Sequence, residues 1–327
     1  MGGLRERVLN KFWDKRLWSY FYWKGEKRLK MKNKVDLFLD SGAYSAWSQG
    51  IEIEIDDYIS FIKEHKKHIS VYANLDVIGD PEATLNNQKI MEKAGLKPLP
   101  CFHYGEDIKY LKYYLKNYQY IAFGGMVGTH KVNLDKWLNE MFGKYICDKE
   151  GYPKIKVHGF GLTSLSLTMK YPWYSVDSTS WVMTGRMGGV LIPVFKNGKY
   201  VYDKLPMKVS VSTTSPNLKT KDHVRNYSPL KQKTVLKYLK EKGYVLGESK
   251  FKRESVDYKL RKKERWAESK VKGAKQRRVE IRMKIGVSNC YKLRDEVNII
   301  YYRDLEESFG KYPRKFKAEE RQEGFGL

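Results

Sequence analysis

Across the first two hundred residues, short apolar runs alternate with stretches whose apolar positions recur at helical spacing. The runs Val35–Leu39, Ile69–Leu75, Leu99–His103, Tyr120–Phe123, Lys156–Gly159 and Tyr174–Val176 predict strands. Ile55–His65, Pro81–Ala94 and Asp107–Leu115 predict helices between them, with Asp135–Phe142 a weaker helical pattern. Asp80 before Pro81 suits a helix start, and Gly95 suits a stop. Repeated strand–helix order predicts an α/β fold with parallel strands. A (β/α)₈ barrel fits because polar residues recur at the C-terminal ends of the strands; an open doubly wound sheet is the alternative. Beyond Gly185 the pattern changes. Val190–Phe195 and Lys199–Tyr202 flank Asn197-Gly198 as a hairpin, Val209–Val211 returns to a sheet, and Pro229 opens a helix ending near Gly243.

A chain of 327 residues, 41% hydrophobic, is long enough to bury a sizeable core in one large domain or two smaller ones. Its apolar runs are too short for a spanning helix, and its start lacks a signal-peptide core, so no membrane partner is expected. Three cysteines give neither a disulfide framework nor a close metal cluster, which favours a reducing compartment. The net charge of +25 favours an anionic partner, with nucleic acid ahead of a membrane surface. That charge is uneven: residues 219–284 hold 23 Lys or Arg against eight Asp or Glu. Within it, Lys262, Arg265, Arg277 and Arg278 are the candidate phosphate contacts, and a solvated helical face is the bland alternative. The expected organisation is a barrel over residues 1–218 and a basic, partly helical extension over 219–327 that packs on it.

Three carboxylates stand at expected strand ends. Asp40, in FLDSGAYSAW, precedes Ser41, Gly42 and Tyr44; it suits proton transfer or base binding, and Tyr44 suits stacking on a planar base. Asp-Ser-Gly is also ordinary turn chemistry. Asp76, in VYANLDVIGDP, suits the N–H edge of a guanine-like base, because an ionised carboxylate only accepts; a turn carboxylate is its plain alternative. Asp177, in PWYSVDSTSW, suits attack on an anomeric carbon, against the alternative of a helix cap. Gly124 and Gly125 in IAFGGMVG would keep a base pocket clear, with the Gly125 and Met126 backbone free for recognition, and Gly159 and Gly161 in VHGFGLTS would form a pocket wall; a tight structural turn predicts the same residues. His103 is a candidate for lining that pocket. His103, His130 and His158 do not by their spacing define a metal centre, and Cys101 reads as a core residue. Neither a GxGxxG nor a GxxxxGK[ST] loop occurs, so no nucleotide cofactor is expected.

Together these stretches resemble the catalytic barrel of the queuine tRNA-ribosyltransferase, or tRNA-guanine transglycosylase, superfamily over roughly Val35–Gly189. DSGAY at Asp40–Tyr44 is similar to the family's DSGG-aromatic motif, with Ala43 in place of the second glycine. The resemblance implies that Asp40 transfers protons and Tyr44 stacks. It implies that Asp76 reads the guanine or deazaguanine edge, that FGGM and VHGFG line the base site, and that Asp177 is the nucleophile. Two departures stand out. The family's cysteine-rich zinc site is absent, since only Cys290 follows Asp177, and Ser45 stands where many members have glutamine. A zinc-less barrel with a basic tail looks more like the divergent, often phage-borne relatives that insert 7-deazaguanine bases into DNA. The implied partners are DNA first, tRNA second, and a free 7-deazaguanine base; no cofactor is implied, and the implied location is the cytoplasm, the host's if the chain is phage-encoded. A nucleic-acid glycosidase and an inactive nucleic-acid-binding barrel are the competing readings.

Overall fold

The computed structural model describes residues 15–23 and 36–316. Val35, the rest of residues 1–14 and 24–34, and the end of the extension at 317–327 lie outside them. The described residues divide into two compact units, one of residues 15–23, 36–178 and 311–316, the other of residues 179–310.

The first unit is built on parallel strands. β1 (Lys15–Ser19) pairs with β2 (Asp36–Asp40), and β2 with β3 (Val71–Tyr72). β4 (Cys101–His103), β5 (Tyr120–Gly124), β6 (Lys156–Gly159) and β7 (Ser175–Val176) pair in that order, all parallel. A parallel bridge between Ala73 and Leu99 joins the two sets. The predicted runs therefore form strands, three of them shorter than the apolar pattern, and β1 is added from the aromatic start. Helices lie between them: α1 (Tyr20–Trp23), α2 (Ala43–Trp47), α3 (Ile55–His65), α4 (Pro81–Lys93), α5 (Ile108–Asn117), α6 (Lys131–Glu140) and α7 (Leu165–Lys170). Asp80 accepts the Ala83 N–H at 2.9 Å with Pro81 in the first turn, so α4 starts where its sequence signal predicted. The weaker pattern at 135–142 is split: α6 starts earlier, and a π-helix continues it over Met141–Ile146.

Period-two alternation sorts the strand residues into two layers. Leu37 and Leu39 of β2 face outward and pack with Tyr58, Ile59 and Ile62 of α3. Each such buried leucine contributes about 1.5–3 kcal/mol. Phe38 and Asp40 point the other way. That inner face carries Phe38, Val71, Leu99, Cys101, Tyr120, Ala122 and Phe160 as a second cluster. Phe38 of β2 lies 4.5 Å from the His158 ring of β6, centroid to centroid. In a flat sheet those strands would be about 19 Å apart, four spacings of about 4.8 Å. The sheet therefore curls strongly around its inner face. At the far end of the chain, Phe316 stacks on Tyr171, and Tyr312 donates to the Ile155 carbonyl at 2.9 Å.

The second unit begins with α8 (Ser180–Arg186), β8 (Gly189–Ile192) and the hairpin of β9 (Val194–Lys196) and β10 (Lys199–Val201). Asn197 and Gly198 both have positive φ, as the Asn-Gly signal requires. β11 (Met207–Ser210) returns antiparallel to β8, and α9 (Pro229–Glu241) follows. The basic segment is not a helical face: β12 (Glu248–Ser255), β13 (Glu264–Trp266) and β14 (Gln276–Lys284) form an antiparallel sheet in the order β12-β14-β13. α10 (Tyr291–Ser308) contributes Val297 and Ile300 to a core with Val190, Val209 and Tyr238. Among the described residues no helix is long and apolar enough to cross a membrane.

Candidate active site

Because the strands of the first unit run parallel, their C-terminal ends share one edge, and inner-facing polar groups gather there. Asp40 ends β2, Asp76 follows β3, His103 ends β4, His158 lies next to the end of β6 and Asp177 follows β7, while Gly124 ends β5 beneath His103. The three carboxylates expected from sequence thus meet. Burial, then the charges of Asp177 and Asp76, push the Asp40 carboxyl up to about 7, against the pull of the Gly42 N–H and the Ser19 hydroxyl. Gly42 donates to Asp40 Oδ2 at 3.1 Å.

Asp177 is held by β6 and the loop that follows it. Its Oδ1 accepts the Gly161 N–H at 2.7 Å and lies 3.5 Å from His158 Nε2, while its own N–H donates to the Gly159 carbonyl at 3.2 Å. His158 is buried, with Nδ1 2.8 Å from Ser175 Oγ, which in turn meets the Tyr120 hydroxyl at 2.8 Å. That relay orients the ring, and its Nε2 makes no hydrogen bond. Asp76 Oδ2 lies 3.3 Å from His103 Nε2, whereas Oδ1 is buried without a protein partner.

Glu106 clamps His103 from behind. Its two oxygens take the ring Nδ1 and the backbone N–H, each at 2.9 Å. Burial opposes charge on this ring, but Cys101 and Asp76 at Nε2 outweigh it, and the histidine is raised above its ordinary value. Burial first, then Asp76, push the Cys101 thiol up to about 12, which excludes it as a free thiolate nucleophile near neutral pH in the metal-free protein. Among the described residues, none of Asp40, Asp76, Glu106 and Asp177 forms an ion pair with a lysine or arginine. The cluster is anionic and has room for positive charge.

No family model matches the chain, and no curated protein or solved structure matches it either.

The remaining sequence candidates fall into different surroundings. Gly124 lies under the histidine: a Cβ there would sit 2.6 Å from His103 Cδ2 and 2.9 Å from Cys101 Sγ. Gly125 has φ 68° and passes 3.1 Å, measured from a Cβ position, from the Tyr104 nitrogen. Gly159 packs under Trp173 and Val176. Ser41 is buried and accepts the Ala43 N–H at 3.3 Å. Tyr44 is exposed beside Trp47, and the Met126 side chain is buried in the outer core. In the basic sheet, Lys262 is exposed, Arg265 pairs with the buried Glu280, Arg277 lies over Trp266, and Arg278 lies over Phe251. Cys101 is buried in the inner-face cluster, as its sequence context predicts, but sequence reasoning missed Glu106 and the contact of the Cys101 thiol with His103. The signal was there: Cys101 and His103 are two apart on a strand and so share a face, and Glu106 follows across a short turn.

Gly42 offers a direct test of how tightly this edge is built. Its φ is +77°, and a Cβ would fall 2.3 Å from Ser19 Oγ and 2.5 Å from Phe21 Cβ. Gly42→Ala is expected to cost about 3 kcal/mol through backbone strain and overpacking, read as a lowered denaturant midpoint at unchanged slope. A midpoint equal to wild type would mean that β1 does not pack against the Asp40 turn.

Proposed function

We propose that the first unit is a (β/α)₈-type barrel that exchanges guanine in DNA for a free 7-deazaguanine base through a glycosyl-aspartate intermediate. The observation that carries this reading is the meeting of Asp40, Asp76 and Asp177 at one edge of the curled parallel sheet, with no lysine or arginine paired to them among the described residues. An anionic cluster suits a sugar that gains positive character as its base departs. The motif resemblance supports the choice of chemistry.

In the first displacement, an Asp177 oxygen bonds to C1′ as the C1′–N9 bond breaks, and the bond's electron pair leaves with guanine. Asp40, protonated up to about 7, gives its proton to the departing base. In the second, the incoming base gives its N9 proton to Asp40 and attacks C1′, and the ester bond to Asp177 breaks. Two displacements retain the anomeric configuration. Asp76 Oδ1, lacking a protein partner, accepts an N–H from the base edge. The target nucleotide must be single-stranded or flipped from its stack to reach such a site. In the second unit, Lys250 and Arg253 of β12 and Lys259, Arg261, Lys262 and Lys263 of the loop that follows it are exposed and suit a phosphate backbone.

The purified chain, incubated with tRNA and with single- and double-stranded DNA plus isotope-labelled 7-deazaguanine bases, is expected to place label in DNA nucleosides, read by mass spectrometry. Label in tRNA alone would overturn the DNA assignment and favour zinc-less tRNA exchange. Base loss without label would convert the reading to a glycosidase. Binding with neither product, in folded protein, would leave a nucleic-acid-binding barrel.

A further inference from the structure

We propose that Asp76, Cys101 and His103 form a zinc(II) site at the edge of the sheet. Cys101 Sγ lies 3.6 Å from His103 Nε2, which lies 3.3 Å from Asp76 Oδ2. One ligand atom from each of the three residues lies within 4.8 Å of the others. Tetrahedral zinc with Zn–S of about 2.3 Å and Zn–N or Zn–O of about 2.0–2.1 Å sets these ligand edges at about 3.5 Å and about 3.3 Å. The two edges at His103 Nε2 match these values.

Three further features point the same way. Glu106 holds His103 Nδ1 at 2.9 Å, the carboxylate–histidine arrangement that fixes the other ring nitrogen on a metal. Gly124 leaves the space the cluster needs, since a Cβ there would meet both Cys101 and His103 within 3 Å. The surrounding carboxylates have no lysine or arginine partner among the described residues, and Asp76 and Glu106 share the one ring of His103, which leaves net negative charge to attract a divalent cation. A bound ion deprotonates a coordinating thiol itself, so an ordinarily protonated Cys101 is no obstacle. With three protein ligands, the fourth position is left to water or to an acceptor atom of a bound ligand. This site is separate from the cysteine-rich zinc site of the resembling family, whose ligands would follow Asp177, and it stands on its own geometry, independent of base exchange.

The test is metal content and cobalt spectroscopy on the full chain. Protein from zinc-supplemented growth is expected to carry about one zinc per chain, and chelator-stripped protein titrated with Co(II) is expected to develop a sulfur-to-cobalt charge-transfer band. Cys101→Ser and His103→Gln should each weaken metal binding at least about 10-fold, with the cobalt band lost in Cys101→Ser. Asp177→Asn should keep both metal and band, so that failure of exchange and failure of metal binding are read separately. Absence of both zinc and the cobalt band in folded wild-type protein overturns the proposal. So does zinc retained at full stoichiometry in both ligand variants. Should Cys101→Ser fail to fold, a Cys147→Ser, Cys290→Ser chain decides: the band persists if Cys101 is the ligand and disappears if it is not.

Discussion

Asp177→Asn is expected to abolish base exchange, by roughly 10³-fold or more, while leaving the fold intact. The amide retains an oxygen for the Gly161 N–H that Asp177 Oδ1 now accepts at 2.7 Å, so the loop after β6 keeps its anchor. What disappears is the negative charge that, in the proposed exchange, attacks C1′ and stabilises the electron-poor sugar. Removing that charge also relieves Asp40, whose carboxyl it helps to raise. The melting temperature should therefore stay equal to wild type or rise slightly near pH 8. The decisive readout is covalent trapping: wild type treated with DNA and denatured during turnover should show a protein–DNA adduct, and Asp177→Asn none. An adduct of undiminished yield in the variant would remove Asp177 from its role.

Asp40→Asn is expected to gain stability and lose activity together. Burial and two neighbouring carboxylates raise the Asp40 carboxyl from 3.8 to about 7. The folded chain therefore binds a proton that the unfolded chain has released between those values, and the sign follows: stability falls as pH rises from about 4 to about 7, then levels off. Ionising this one group costs about 2–4 kcal/mol above pH 7. An asparagine cannot ionise and still accepts the Gly42 N–H, so the variant should be more stable than wild type by about 2 kcal/mol or more at pH 8 and nearly equal at pH 4. Urea unfolding of chelator-treated protein at the two pH values measures the difference. Exchange should be lost because an amide in place of the Asp40 carboxyl can neither give the proton nor take it back. Equal stability of the two proteins at both pH values would mean that Asp40 is not held in this charged, buried setting.

The strands and helices of the first unit were legible because each carries its own local signal. Leu37 and Leu39 alternate with Phe38 and Asp40, and Asp80-Pro81 and Gly95 mark the ends of one helix. Asp40, Asp76 and Asp177 were legible as candidates because each sits where an apolar run stops. The basic segment was misread at the level of its bland alternative: Lys and Arg every second or third position suit a solvated helix and an exposed strand alike. The sheet forms because Trp266, Val279 and Ile281 share one face across β13 and β14 while Phe251 of β12 takes the other beside Arg278, a pairing of residues far apart in the chain.

By itself, the order of residues determined where the chain turns polar after each strand, and hence which carboxylates lie at strand ends. Only the tertiary structure decided that the sheet curls, bringing β2 against β6, so that Asp40 feels Asp177 across 137 positions of chain. It also decided that Asp76 comes to rest against His103 and Cys101 with Glu106 behind them. The reason is that hydrophobic periodicity acts over a few residues and selects a strand or a helix, whereas the sign of a charge cluster depends on distances through space. Those distances are set by the packing of Phe38, His158 and Phe160 on the inner face, and no local pattern encodes them.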